Sequence, residues 1–396
     1  MRRRLPQSVV NTPATRAYRE LMARTRDQDA CPGALQVHPA ADGALARVRL
    51  PGGMITARQL ESLALAATQW ASPAMELTSR GNVQIRAVTD TAAVADSLSA
   101  AGLLPSDSHE RVRNIIASPL SGRVGPDADI RAMVGELDHA IQGQPELAGL
   151  PGRFLFGIDD GRGDISGLAA DAGVQMIGDS AALLLAGRDT GVRVSPSDAV
   201  PTLVTVANRF AERRGTRWRI SELDDTEQLL EGFAVTAEPG ATWPPVSRPP
   251  VGWIEQNDGL VALGAAVPLG VLNARVAEYL AAINAPMVIT PWRSVLVFDL
   301  SEHVADVALR VLAPMGLVFD ENSPWLSVSA CTGSPGCERS AADVRADAAA
   351  AVAMAIDEPA TGHRHFVGCD RACGSPPIGD VLVATGDGYR PRDTHP

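Results

Sequence analysis

The sequence predicts an α+β protein made by internal duplication, with two strand–helix–strand half-domains and two α/β modules related by a pseudo-twofold axis. Three observations predict it. Two segments can be laid on one another, a proline-rich stretch separates them, and four cysteines follow the second copy alone.

The repeat is found by placing Asp42-Gly43 on Asp258-Gly259. The first copy runs DGALARVRLPGGMITARQLESLALAATQWASPAMELTSRGNVQIRAV and the second DGLVALGAAVPLGVLNARVAEYLAAINAPMVITPWRSVLVFDL. Each reads as strand, Pro/Gly turn, helix, strand. In the first helix Leu60, Leu63, Ala67 and Trp70 recur every three or four residues and Thr56 stands as N-cap; Val276, Tyr279 and Leu280 do the same in the second. Both units resemble a ferredoxin-like half. Downstream, RNIIASPLSG (113–122) matches LSVSACTGSPGC (326–337), and FGIDDGRGDISGL (156–168) matches VGCDRACGSPPIGD (367–380). Between the copies, AVTAEPGATWPPVSRPPVGW (234–253) reads as an extended linker. The expected divisions are a tail over residues 1–27, a first half-domain over 28–105 and a first α/β module over 106–239. A linker with the second half-domain follows over 240–319, and the second module, with the cysteines, over 320–396.

Composition narrows the function classes. Of 396 residues 45% are hydrophobic, 20% are charged and the net charge is -11. No apolar run approaches the ~20 residues that span a bilayer, so no membrane is expected. The acidic balance argues against nucleic acid and anionic lipid as partners. The basic start MRRRLPQSVVNTPATR has no apolar stretch behind it, so no secretory signal is expected and the compartment is the cytoplasm. All 35 basic residues are arginine. Without lysine neither a Walker A phosphate loop nor a pyridoxal Schiff base can be built. Anions must be met by guanidinium forks, which suit carboxylates.

Four of the five cysteines form Cys331-x5-Cys337 and Cys369-x3-Cys373, each pair in a glycine-rich loop. Glycine lets backbone approach a bulky group and turns amides toward anionic sulfur. The pattern reads as an iron–sulfur site; C-x5-C fits zinc poorly, because zinc cysteines usually stand two to four residues apart. Unligated or disulfide-forming thiols are the third alternative, and Cys31 reads as structural. In TSRGNVQIR (78–86), alternation puts Thr78, Arg80, Asn82, Gln84 and Arg86 on one polar face of a strand, lining a cavity or solvated. The second copy has Thr290, Trp292, Ser294, Leu296 and Phe298 at the matching places.

The cysteine signature, each pair in its glycine-rich setting, together with the duplicated halves, resembles the nitrite and sulfite reductase family over nearly the whole chain from about residue 30. That resemblance implies one 4Fe-4S cluster on Cys331, Cys337, Cys369 and Cys373, with Cys373 beside the catalytic iron. TSRGNVQIR is similar to the family's tetrapyrrole-binding strand, which implies that Arg80 meets the macrocycle. RVRNIIASPLSG resembles the family's RN segment, making Arg113 a second active-site arginine. LPGRFLF (150–156) looks like a segment that carries two alternating lysines in the family; here they are Arg153 and Leu155, so one cation is lost. This loss, the compact length, the arginine-only composition and the form of TSRGNVQIR look most like the family branch of aerobic cobalamin (vitamin B12) biosynthesis.

Likeness to that branch implies an O2-dependent monooxygenase that hydroxylates precorrin-3A with γ-lactone formation, NADH ultimately supplying electrons. Arg80, Asn82, Gln84, Arg86, Arg113 and Arg153 are then the expected substrate-binding residues, the arginines meeting the substrate's carboxylates. The resemblance also implies a mononuclear non-haem iron. Of seven histidines, only His363-x-His365 has a suggestive spacing, and it reads as a solvated or core-edge pair before it reads as ligands. No residue is assigned a catalytic role. No GxGxxG follows a predicted strand, so electrons are expected from a separate reductase or ferredoxin. The alternatives are a siroheme-dependent nitrite or sulfite reductase and a non-catalytic scaffold.

Overall fold

The computed structural model describes residues 29–125, 128–246, 248–354 and 362–392. The tail expected over residues 1–27 lies outside the described residues, as does His395. No helix among the described residues is long and apolar enough to cross a membrane.

The first half-domain runs β1 (His38–Ala40), β2 (Gly43–Val48), β3 (Met54–Ile55), α1 (Ala57–Trp70), β4 (Ala74–Leu77), β5 (Val83–Val88) and α2 (Thr91–Ala100). A module follows with β6 (Ile115–Ala117), α3 (Arg131–Gln142), β7 (Phe156–Asp159), β8 (Ala172–Ile177), β9 (Ser180–Leu185), β10 (Arg188–Val194) and α4 (Ala199–Arg213). The second half-domain repeats the plan as β11 (Gly252–Glu255), β12 (Val261–Ala266), β13 (Val271–Asn273), α5 (Ala274–Ala282), β14 (Met287–Ile289), β15 (Ser294–Leu300) and α6 (Glu302–Leu312). The second module contains β16 (Val328–Ala330), α7 (Val344–Met354), β17 (Arg364–Val367), β18 (Asp380–Thr385) and β19 (Gly388–Pro391). The duplicated α+β architecture that the sequence predicts is present.

The half-domains exchange strands. The first sheet has the order β1-β2-β5-β4-β13 and the second β11-β12-β15-β14-β3, so each copy's short third strand closes the other copy's sheet. β3 pairs antiparallel with β14 through Ile55 and Met287, and β13 with β4 through Leu272 and Met75. Helices α1 and α5 pack together. One hydrophobic core runs through both copies, from Leu60, Leu63 and Ile85 to Leu280, Ile289 and Val297. Fully burying a leucine stabilises by about 1.5–3 kcal/mol, so this shared core binds the halves strongly.

Local chemistry agrees with these elements. Thr56 and Gln59 form a reciprocal capping box at the start of α1, and the Asn273 side chain caps α5. Tyr279 departs from the expected helix face: it is exposed, and Ala277 is buried instead. In both modules the first three strands are parallel and the next antiparallel, in the orders β6-β7-β8-β9 and β16-β17-β18-β19. The linker lies along β10, with bridges from Val192 to Val235 and from Arg188 to Thr242.

Gly53 sets the exchange. Its φ is 69°, and an added Cβ would lie 1.9 Å from the Ile289 carbonyl oxygen across the junction. Gly102 has φ 71° but open space around it. Gly102→Ala is expected to cost about 1–2 kcal/mol from its left-handed backbone alone. Gly53→Ala should cost on the order of 3 kcal/mol or more, because the junction must also move. Denaturant unfolding of the two variants checks this, and equal costs would show that the close approach at Gly53 is not a constraint.

Candidate active site

A cavity of about 340 Å³ lies where the two copies and both modules meet. The first copy supplies Ser79 and Arg80; the second supplies Pro291, Trp292 and Arg293 from the matching loop. Ile116, Leu155, Leu168 and Arg219 come from the first module, and Trp325, Ser329, His363 and Gly374–Pro377 from the second. The linker adds Val246 and Pro249, and Trp292 Nε1 donates to the Val246 carbonyl at 2.6 Å.

Three arginines and no carboxylate line this space. Arg80 donates to the Gly152 carbonyl at 3.1 Å. Burial brings it down from 12.5 to about 10, with the nearby Cys31 opposing and Arg219 adding to the fall, so it stays charged near neutrality. Arg219 pairs with Asp171 at 2.7 Å and donates to the Ala169 carbonyl at 2.9 Å. Arg293 Nη2 donates to the Gly374 carbonyl at 2.9 Å. Burial also lowers Arg293, and Cys331 lies close enough to favour its charge. Burial likewise lowers the neighbouring Arg47 and Arg49, with Cys31 opposing the fall in both. Arg49 is buried with two of its nitrogens unpartnered.

The strand expected from residue 78 begins at Val83. Thr78–Asn82 is instead a turn, in which Gly81 has φ 66° and donates to the Thr78 carbonyl. Alternation therefore ends before Arg80, which enters the cavity while the rest of the polar row does not. Asn82 braces the loop, accepting from the Leu50 amide and donating to Asn114. Gln84 donates to Glu76 at 2.9 Å and accepts from Arg47. Arg86 holds Asp42 and the Gly336 carbonyl. Arg113 is buried in a fork with Asp138 at 2.6 and 2.8 Å. Arg153 is exposed, 5.2 Å over the Trp218 ring. Of the six expected substrate-binding residues, the structure brings Arg80 alone to the cavity lining. It adds Arg219 and Arg293.

The four cysteines of the second module are free, and Cys373 adjoins the cavity-lining Gly374. Cys331 follows β16, and the Gly368 amide donates to its sulfur at 3.4 Å. Burial pushes the Cys373 thiol up, and Cys331, Cys369 and Cys337 all push it further, so the four sulfurs share one electrostatic environment. Four thiols gathered in this way are a donor set suited to an iron–sulfur group.

His363 and His365 do not make a two-histidine, one-carboxylate iron site. Both bond the Ser329 hydroxyl at 2.7 Å, and the other ring nitrogen of His365 donates to the Cys373 carbonyl at 3.0 Å. Burial and the nearby Arg293 hold buried His365 down to about 4, hence neutral. With both nitrogens of His365 engaged and no carboxylate in the cavity lining, these residues do not fit the mononuclear iron that the resemblance implies.

The first module shows what the same backbone becomes without cysteine. Ser118 stands in place of Cys331: its amide bonds Ile158 as that of Cys331 bonds Phe366. Its hydroxyl takes the Asp160 amide at 3.1 Å, as the Cys331 sulfur takes that of Gly368. The Asp159 carboxylate accepts four amides, from Gly161, Gly163, Ile165 and Ser166. Ser118 also donates to Asp164 at 2.6 Å.

Burial raises Asp164 from 3.8 to about 7, Ser118 opposing and Asp159 adding to the rise. The folded chain thus keeps a proton that the unfolded chain releases as pH climbs from about 4 to about 7. Stability contributed at low pH falls through that window and is fully lost above it. Asp164→Asn is expected to be neutral near pH 4 and stabilising near pH 8. The gain is at most about 4 kcal/mol, since each tenfold change in proton affinity is worth roughly 1.36 kcal/mol. Denaturant unfolding of variant and parent across pH reads this; a pH-independent difference would rule out the buried acid.

A duplicated half-domain fold with four cysteines beside an arginine-lined cavity is similar to the nitrite and sulfite reductases, and the comparisons support that likeness. The family model for the nitrite/sulfite reductase ferredoxin-like half domain matches residues 38–100. Over 383 residues the chain is 27% identical to a precorrin-3B synthase from Sinorhizobium sp, covering 91% of this chain and 81% of the relative. A ferredoxin–nitrite reductase from Synechococcus elongatus is 26% identical over 392 residues, covering 85% of this chain and 75% of the relative. The structure of Mycobacterium tuberculosis NirA superposes with a TM-score of 0.74 at 20% identity, covering 88% of this chain and 73% of that one, and shows the same fold.

Proposed function

We propose that this chain is an O2-dependent monooxygenase that hydroxylates precorrin-3A, with γ-lactone formation, in aerobic cobalamin synthesis. The carrying observation is the cavity, where Arg80, Arg219 and Arg293 converge from three parts of the chain without a carboxylate among them. Such a lining suits a flat, polycarboxylate ligand, each guanidinium offering a fork to one carboxylate and Trp292 and Trp325 offering ring surface. The relative named precorrin-3B synthase supports the same choice. Leu155 lines the cavity, and Arg153 is exposed outside it. The paired cations that reduction of a small oxyanion calls for are therefore missing from that segment.

Cys331, Cys337, Cys369 and Cys373 would hold a 4Fe-4S cluster, which supplies electrons one at a time. Among the described residues, the three metal-capable side chains whose ligand atoms lie within 4.8 Å of one another are Asp159, Asp160 and Asp164, not cysteines. The five residues between Cys331 and Cys337 fit a single zinc poorly, because zinc cysteines usually stand two to four residues apart. Hydroxylation puts one oxygen atom of O2 into the substrate and releases the other as water, consuming two electrons and two protons. His363 is the titratable neutral group of the lining, with Ser329 behind it. The electron donor is external, a ferredoxin or an NADH-linked reductase.

The test is anaerobic purification with visible and EPR spectra and with iron, acid-labile sulfide, zinc and tetrapyrrole quantified, followed by O2 consumption with precorrin-3A. Broad iron–sulfur absorption, about four sulfides and no siroheme support the proposal. An intense siroheme band would select the nitrite or sulfite reductase reading instead, and zinc alone would sink both. Arg219→Ala and Arg293→Ala should each weaken tetrapyrrole binding by roughly ten- to a hundredfold, from loss of one charged hydrogen-bonding partner. Arg153→Ala should leave binding within about twofold, as an exposed charge contributes little.

A further inference from the structure

Arg86, which does not reach the cavity, faces the cysteine module. Arg86 Nη2 donates to the Gly336 carbonyl at 2.7 Å, on the peptide that leads into Cys337. A bidentate bond to Asp42, with both contacts at 2.9 Å, fixes the guanidinium, and Glu76 stands 3.8 Å away. Glu76 in turn pairs with Arg345 of the cysteine module. A Cβ on Gly336 would lie 3.2 Å from Asp42 Oδ2 and 3.5 Å from Arg86 Nη2, so the loop rests directly on the ion pair. Arg86 keeps 11% of its side chain exposed and Asp42 28%, which limits solvent screening. Burial works against the Arg86 charge, yet Asp42, Glu76 and Cys337 outweigh it and its pKa is raised.

We propose that Arg86 and Asp42 form a charge pair that positions the 332–337 loop and sets the reduction potential of the group held by the cysteines. This rests on the iron–sulfur reading above. Reduction adds one negative charge to the site. A fixed cation beside Cys337 stabilises that charge and a fixed anion opposes it, so the two residues act with opposite sign. Arg86 acts through the loop and its field and is a positioning residue.

The experiment is an EPR-monitored redox titration of the anaerobically purified holoprotein and its Arg86→Gln, Arg86→Lys and Asp42→Asn variants, with iron and acid-labile sulfide measured in each. Arg86→Gln is expected to make reduction about tenfold less favourable, a potential lower by about 59 mV for one electron. Asp42→Asn should shift it upward, and Arg86→Lys should recover most of the Arg86→Gln loss. A scaffold role alone would move Arg86→Gln and Asp42→Asn in the same direction or not at all. Either result, with iron and sulfide intact, overturns the proposal. If Arg86→Gln cannot retain the cluster, the Asp42→Asn shift decides: upward supports the proposal, downward or absent refutes it. A parent protein without iron and sulfide overturns the cluster reading itself, and this inference with it.

Discussion

Everything at the site depends on the reciprocal strand exchange. A β-sheet edge left unpaired exposes backbone donors and acceptors, and here each copy's edge at β4 or β14 is closed by the other copy's strand. Separating the halves would open both edges and split the common core at once. The exchange also fixes geometry. The loops that follow β4 and β14, residues 78–82 and 290–293, lead into the same cavity. The cavity is therefore a product of the duplication, its walls taken from both copies, both modules and the linker and held in register by the exchanged strands.

Once duplicated, the modules solved one electrostatic problem in two ways. The turn after β7, like the turn after β17, directs amides inward, and inward amides attract an anion. In the first module that anion is internal: Asp159 takes four amides and Ser118 replaces the sulfur. The loop is thereby satisfied by its own chain. In the second module Cys331 keeps the equivalent amide, and among the described residues the register places Val367, not a carboxylate, at the position of Asp159. One module became a self-contained scaffold while the other retained the capacity to surround a foreign anionic group.

Much of this was legible in the sequence, and the limits have physical reasons. The repeat, the Thr56 cap and the linker follow from local pattern, since periodicity and capping act within a few residues, whereas Arg80 was singled out by the family resemblance. The polar row of 78–86 was misleading because polarity alone does not tell which partner a face meets. Gln84 bridges Arg47 and Glu76 within its own half-domain, Arg86 meets the Gly336 carbonyl of the cysteine module, and the turn at Gly81 takes Arg80 out of the row. Arg219 and Arg293 carried no periodic signal. Arg293 did carry a conformational one: it occupies the place of Gly81 in the repeat and keeps φ at 59°. An arginine held in the left-handed region costs about 1–3 kcal/mol, and such strain marks functional positions. Aligning the copies residue by residue, instead of comparing only the faces of their strands, exposes that mismatch.

The charge balance of the cavity argues for the size of what it binds. Burial lowers Arg80 most and the neighbouring Arg219 cation lowers it further, and Arg293 adds a third half-buried cation with the Gly374 carbonyl as its partner. Like charges brought out of water raise the free energy of the empty protein. Asp171 compensates Arg219 from outside the lining, so a single small oxyanion that meets one fork still leaves another cation of the lining without an anion. A rigid ligand with carboxylates spaced around a ring can meet all three at once, and its own rigidity keeps the ordering cost low. The hydrophobic residues between the arginines, Ile116, Leu155, Leu168 and Val328, then have a counterpart in the body of the same molecule. A lining that alternates isolated cations with apolar surface is consistent with a macrocycle and leaves a bare inorganic anion with most of the wall unused.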